Sequence, residues 1–134
     1  MREIGEILRD ARTIAVLGMS DSPLRESNRI GLMLREVGYT VYPVNPTIES
    51  VEDMKSLPTP ADVPEPIDIL NVFRNSSHAE EVVDAAIEAK VPVIWFQLET
   101  ATPHAIERAR AAGIEVVAHH CIAVEVRLRA ISIA

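Results

Sequence analysis

Five short runs of β-branched and apolar residues recur along the chain, each separated from the next by a helix-length stretch, and few architectures accept that alternation. The runs are Thr13 to Gly18 (TIAVLG), Thr40 to Val44 (TVYPV), Asp68 to Phe73 (DILNVF), Pro92 to Gln97 (PVIWFQ) and Ile114 to Ala118 (IEVVA). Strands joined through helices pair in parallel, because a parallel neighbour is reached only by a crossover. Most of the runs are continuously apolar, the pattern of strands covered on both faces. The expected fold is α/β: a Rossmann-like three-layer sandwich with one five-stranded parallel sheet between two layers of helices. Its 134 residues suit one domain spanning positions 1 to 134.

Helical spacing fills the crossovers. Ile30, Met33, Leu34 and Val37 form one stripe, and Gly38 stands where a left-handed C-terminal cap belongs. Ser77-His78-Ala79-Glu80 has capping-box spacing and opens a helix through Val82, Val83, Ala86 and Ile87. Thr102 is the expected N-cap of a further helix, with Pro103 in its first turn, Ile106 and Ala109 facing inward and Gly113 at its end. Arg2 to Ala11 and Ile122 to Ala130 complete the helical set. The segment Asn45 to Pro66, with Pro46, Pro58, Pro60, Pro64 and Pro66, reads as an ordered connection holding a short helical piece near Glu49 to Lys55.

The charge balance excludes some functions. With 13 Lys and Arg against 20 Asp and Glu, the net charge is -7, which opposes the phosphate neutralisation that nucleic-acid binding requires. An anionic small ligand would need local amides and a few placed cations against that field. A single cysteine, Cys121, permits no internal disulfide and fits a reducing compartment. Met1 to Asp10 is charged throughout, unlike a signal peptide, and no run approaches the roughly 20 apolar residues of a membrane span. The expected location is the cytoplasm.

In a doubly wound sheet the ligand lies beyond the carboxyl ends of the strands. After the first run comes Gly18-Met19-Ser20-Asp21-Ser22-Pro23, a turn in which Gly18 admits close backbone approach, successive amides face the ligand and the next helix adds a favourable dipole. The dinucleotide fingerprint G-x-G-x-x-G is absent. The second run ends in Asn45-Pro46 rather than in the acid that would accept ribose hydroxyls, so a nicotinamide cofactor is disfavoured. Arg25 and Arg29 share a helix face and either meet phosphate or pair with Glu26 and Glu36 on the surface; Arg74 follows the third run directly.

Gly18-Met19-Ser20, Val44-Asn45-Pro46, Asp62 to Asp68 (DVPEPID), Val72-Phe73-Arg74, Trp95-Phe96-Gln97-Leu98, and Cys121-Ile122 with Glu125 stand in an order that resembles the small standalone CoA-binding protein family. That family is similar to the N-terminal domain of the succinyl-CoA synthetase α subunit. The resemblance covers nearly the whole chain and implies a sheet in the order 3-2-1-4-5. It also implies that Gly18, Met19 and Ser20 cradle a CoA diphosphate, that Asn45 and Pro46 border the adenosine, that Phe73 and Arg74 line the third-strand edge, and that Gln97 and Leu98 close the pocket. The family usually has glycine after the Gln-Leu pair, where this chain has Glu99, and another in the segment after the second strand, where Thr47 to Lys55 has none. His119-His120 stands before the cysteine where many members of that family have Asp-Arg or a similar pair.

The expected ligand is therefore coenzyme A or an acyl-CoA, held without covalent attachment and without catalysis by this chain. The synthetase reaction needs a second domain for which these residues leave no length. Two alternatives stay open: a nucleotide-dependent enzyme of the same fold, and a regulatory or interaction domain with a vestigial pocket. Cys121 is read as a small buried hydrophobe before a nucleophile or redox switch; paired metal-ligand spacing is lacking around it. His78 and His104 are read as surface residues, and Trp95 and Phe96 as core. The apolar tail Ile131-Ser132-Ile133-Ala134 is a candidate cover for a contact with a second copy or another protein.

Overall fold

A computed structural model describes all 134 residues. The chain runs α1 (Ile4–Asp10), β1 (Thr13–Leu17), α2 (Glu26–Val37), β2 (Thr40–Val44), β3 (Ser50–Val51), β4 (Met54–Lys55), β5 (Ile69–Val72), α3 (Ala79–Glu88), β6 (Val93–Phe96), α4 (Pro103–Ala111), β7 (Glu115–Val117) and α5 (Ile122–Leu128). Five strands form one parallel sheet in the order β2-β1-β5-β6-β7. One face is covered by α1, α2 and α5, whose Ile7, Leu8, Leu34 and Ile122 pack on Ile14, Val16 and Trp95. On the other, α3 and α4 bring Val82, Val83, Ala105 and Ala109 against Leu70, Ile94 and Phe96. Burial on both sides explains why β1, β5 and β6 carry no alternation.

Counted along the chain, these strands stand second, first, third, fourth, fifth, so the order 3-2-1-4-5 is corrected in one placement. The third strand pairs with the first, Ile14 opposite Ile69, and the second is left at the edge. Pro43 gives the reason. It has no N–H for a further neighbour, and its carbonyl instead accepts from Leu57 N at 3.0 Å on the outer side. Asp68 then fixes where the third strand enters, its Oδ2 accepting from the N–H groups of Arg12 (2.8 Å) and Thr13 (2.9 Å) at the head of β1.

Three local expectations change. The piece near Glu49 to Lys55 is an antiparallel hairpin, β3 with β4, not a helix. Ile48, Val51 and Met54 all pack toward the core, and their spacing of three mimics a helical stripe, while Glu52 takes φ +53° in the turn between the strands. The capping role falls to Asn75 rather than Ser77. Asn75 accepts from Ser77 N at 2.9 Å and closes the short 3-10 turn Ser76–His78 that precedes α3. The tail covers this chain's own core: Ile131 is buried, and Ile133 N donates to Val37 O at 2.9 Å. Gly38, left-handed at φ +120°, permits this contact, since a Cβ there would lie 2.0 Å from Ile133 O. Thr102 caps α4 as expected, accepting from Ala105 N at 3.1 Å.

Candidate ligand-binding site

Strand order reverses between β1 and β5: the chain leaves β1 toward β2 on one side, while β5 lies on the other. The loops after these two strands diverge there, and the gap between them is where such a sheet receives a ligand. Three depressions occupy it. The first, about 370 Å³, is walled by Pro46 and Pro58 and carries Asn45, Thr47, Arg74 and His78. The second, about 410 Å³, lies over Gly18, Ser20, Arg25, Glu26 and Ser27. The third, about 320 Å³, holds Arg74, Gln97, Leu98, Glu99, Thr100 and Cys121. Phe73 lines all three. Gly18 joins the first to the second, Glu26 the second to the third, and Arg74 and Asn75 the first to the third, so the three meet around Phe73 as one continuous crevice.

Gly18 has φ +85°, and a Cβ there would sit 3.0 Å from Phe73 O. Both the conformation and the close approach of the β5 loop require glycine. Met19 belongs to the core: its side chain is fully buried beneath α2, where a Cβ on Gly31 would lie 2.3 Å from its Cε. Only its backbone reaches the turn, and Met19 O already accepts from Asn45 Nδ2 at 3.0 Å. Ser20 is also engaged. Its N–H donates to Ser27 Oγ (3.0 Å), its carbonyl accepts from Asn28 Nδ2 (3.0 Å) and its hydroxyl accepts from Ser22 N (3.0 Å).

The expectation that successive amides of the bend face a ligand is thus corrected at Ser20 and Ser22, whose N–H groups are taken by hydroxyls. Free donors lie one step further on. Arg25 is the N-cap of α2 without a side-chain cap, and the first helical bond is Arg29 N to Arg25 O. The N–H groups of Glu26, Ser27 and Asn28 therefore have no acceptor in the protein, at the positive end of a twelve-residue helix. Ser27 and Asn28, 8% and 3% exposed, were not singled out in the sequence. Their signal is a pair of polar residues at the head of the stripe that continues through Ile30 and Leu34.

The cations divide. Arg25 and Arg74 line the crevice, and neither guanidinium meets a carboxylate or carbonyl. Arg29 does not line it; its Nη1 donates to Pro23 O at 3.2 Å and steadies the loop. Neither Arg25 nor Arg29 pairs with Glu26 or Glu36. Asn45 borders the first depression, yet its side chain is spent internally, donating to Met19 O and accepting from Thr47 N (3.0 Å) and Thr47 Oγ1 (2.7 Å).

At the far end, Gln97 is 5% exposed and fastens the loop after β6 to the start of α5. Its Oε1 accepts from Ile122 N at 3.0 Å, and its Nε2 lies 3.5 Å from Cys121 Sγ. Thr100 N donates to Gln97 O at 3.1 Å, closing a turn in which Glu99 takes φ +65°. Left-handed backbone is where glycine is cheapest, and Glu99 occupies the position the resembling family gives to glycine. Cys121 is half-buried at the N-cap of α5. His120 faces away from it: its carbonyl accepts from Trp95 Nε1 at 2.9 Å, and its Nδ1 is 3.6 Å from Glu125 Oε1.

A Rossmann-like α/β domain with one continuous crevice at its switch point, lined by unpaired cations and free helix-terminal amides, is the class that fold and site define. The family model described as "CoA binding domain" matches residues 12–127, and the chain belongs to that family. It is 36% identical over 122 residues to the uncharacterised protein YneT of Bacillus subtilis (strain 168), a match covering 91% of this chain and 90% of YneT. Among solved structures it is similar to a hypothetical protein from Pyrococcus horikoshii OT3, with TM-score 0.90, 34% identity and 97% of each chain covered. It is similar also to Prb, the PH1109 protein redesigned for binding, with TM-score 0.92, 37% identity, and coverage of 95% of this chain and 89% of that one. No helix is long and apolar enough to cross a membrane.

Proposed function

We propose that the chain binds coenzyme A or an acyl-CoA along the crevice and performs no chemistry on it. The observation that carries this reading is the conjunction, over one depression, of the unpartnered N–H groups of α2 with the unpartnered guanidinium of Arg25. Such donors suit a diphosphate, whose charge they meet locally although the molecule as a whole is anionic. A diphosphate held there leaves the adenosine and the pantetheine arm to run into the two adjoining depressions, which also meet each other at Phe73, Arg74 and Asn75. Membership of the CoA-binding domain family supports CoA as the ligand.

The contacts of Cys121 argue against a nucleophilic role for its thiol. Its neighbour within bonding distance is the Gln97 amide, a group that cannot take a proton, so the thiol has no general base. A nicotinamide dinucleotide is disfavoured because Asn45, at the end of β2, has its side chain committed to Met19 and Thr47 and is no carboxylate.

The test is a thermal melt against CoA, acetyl-CoA, NAD, NADP and ATP. A ligand at about 100 times its dissociation constant adds about 2.7 kcal/mol to the native state, and only the CoA compounds are expected to do so. Bound CoA should also slow alkylation of Cys121 by iodoacetamide, read by mass spectrometry. Stabilisation by NAD without any by CoA would overturn the reading.

A further inference from the structure

Two leucines stand in solvent at the rim of the crevice. Leu24, in the turn after β1, is 87% exposed, and Leu98, in the turn after β6, is 57% exposed. The other exposed large apolar side chains lie at the chain start, on α3 and on α5. Each rim leucine is followed by an exposed charged residue, Arg25 in one turn and Glu99 in the other. All the ion pairs of the molecule form among other residues, so this guanidinium and this carboxylate go unmatched within the chain. Glu26 lines one depression with Arg25 and another with Leu98 and Glu99, so the two turns flank the same opening. A single exposed leucine is ordinary. Two at one opening, each beside an unmatched charge of opposite sign, call for an explanation.

Both turns are fastened beneath their tips. Leu24 N donates to Ser22 Oγ at 3.3 Å, and Ser22 N to Ser20 Oγ at 3.0 Å. On the other side Thr100 N and Thr100 Oγ1 both donate to Gln97 O, at 3.1 and 2.7 Å. Tips held in this way lose little conformational freedom when they make a contact. A leucine beside a cation and a leucine beside an anion are complementary to each other, yet the sheet fixes the two turns apart in one chain. A second copy related by a two-fold axis brings them together twice, because in such a contact residue i meets j while j meets i.

We infer that two unliganded copies of the chain associate across the mouths of their crevices, with Leu24 against Leu98 of the second copy and Arg25 against Glu99 of the second copy, each pair formed twice. An acidic surface on a foreign protein would answer Arg25 alone, and a basic one Glu99 alone. A second copy answers both and sets a leucine on each leucine. The two matched pairs also offset the general repulsion between molecules of net charge -7. Cys121 lines the same depression as Leu98 and Glu99, so the contact covers its thiol. A phosphate ligand would draw on the same Arg25, which is why the pairing belongs to the unliganded chain.

The test is sedimentation equilibrium of the full chain without ligand, over a wide range of concentration. The wild type is expected to show a reversible equilibrium between monomer and dimer. Leu24→Asp or Leu98→Asp should weaken association at least about tenfold, because each change enters the contact twice. Arg25→Glu alone and Glu99→Arg alone should do the same by setting like charges together, while the variant carrying both should return to within about threefold of wild type. Alkylation of Cys121 by iodoacetamide at a fixed reagent concentration should slow in proportion to the dimer fraction. All four substituted positions are exposed, and circular-dichroism melts verify that each variant is folded. A wild type that stays monomeric at every concentration would overturn the inference, and so would a dimer that the leucine variants leave intact. A double variant as weak as the single ones would overturn the pairing of Arg25 with Glu99. Dimers in which Cys121 reacts as fast as in the monomer would put the contact on another face and overturn it as well.

Discussion

Two turns at the carboxyl edge of the sheet adopt the same left-handed backbone and fill it with opposite residues: Gly18 at φ +85° and Glu99 at φ +65°. At Gly18 a side chain is refused twice, by the dihedral and by Phe73 O at 3.0 Å from any Cβ. Glu99 meets only the first refusal, because its side chain is exposed at the rim. Left-handed geometry alone costs an ordinary residue roughly 1–2 kcal/mol, which a folded domain can carry. What makes glycine indispensable at the mouth of the crevice is the neighbouring loop, which comes close only where nothing projects. A third turn, at Glu52 in the β3-β4 hairpin, repeats the Glu99 situation away from the crevice and serves as its control.

The comparison can be broken most directly at Gly18. Gly18→Ala is expected to cost about 2 kcal/mol in urea unfolding and to abolish CoA binding; an alanine tolerated on both counts would mean that the Phe73 loop yields. Ser27→Ala comes next. It strands the Ser20 N–H without its acceptor, and about 1.5 kcal/mol of stability should go with it, with weaker CoA binding measured by calorimetric titration.

Glu99→Gly sharpens the contrast by removing strain and a carboxylate together. Stability should rise by about 1 kcal/mol, and CoA should bind more tightly. Glu99→Gln separates the two effects, since it discards the charge and keeps the strain: affinity should improve while the melting temperature stays put. Smallest of all is Glu52→Gly, which should gain up to about 1 kcal/mol with affinity unchanged. A change in CoA binding there would show that strain in the hairpin reaches the crevice, and the control would fail.

Both glutamates stand in segments where the resembling family carries glycine, but that difference marked no turn in the sequence, and Glu52 fell in a piece read as helical. Other features were legible for local reasons. The runs that became β1, β5 and β6 are apolar because both faces are covered, and Gly38 and Thr102 mark helix ends through their own conformational and hydrogen-bonding habits. Strand order was less legible through resemblance than through one residue: Pro43 cannot serve a neighbour on each side, and that alone assigns Thr40–Val44 to an edge. The hairpin was hidden because Ile48, Val51 and Met54 repeat at a helical interval.

Within the crevice, residues whose position follows from a strand end, such as Phe73, Arg74 and Gln97, could be located by counting. Met19 and Arg29 could not. Their roles depend on Gly31 leaving a hollow beneath α2 and on Pro23 presenting a carbonyl, facts of packing that no spacing records. The engagement of the Ser20 amide was likewise out of reach, because its acceptor arrives seven residues later on a different element.

Pro43 has a bearing on handling the protein as well as on its topology. An outermost strand with open donors and acceptors invites other chains to extend the sheet, the usual beginning of gels and fibrils. Here a ring replaces one donor, while Leu57 occupies the adjacent carbonyl and receives the N–H of Asn45. Concentrated solutions should accordingly stay clear on that flank, and Pro43→Val would be the change to make if one wished to see them turn cloudy.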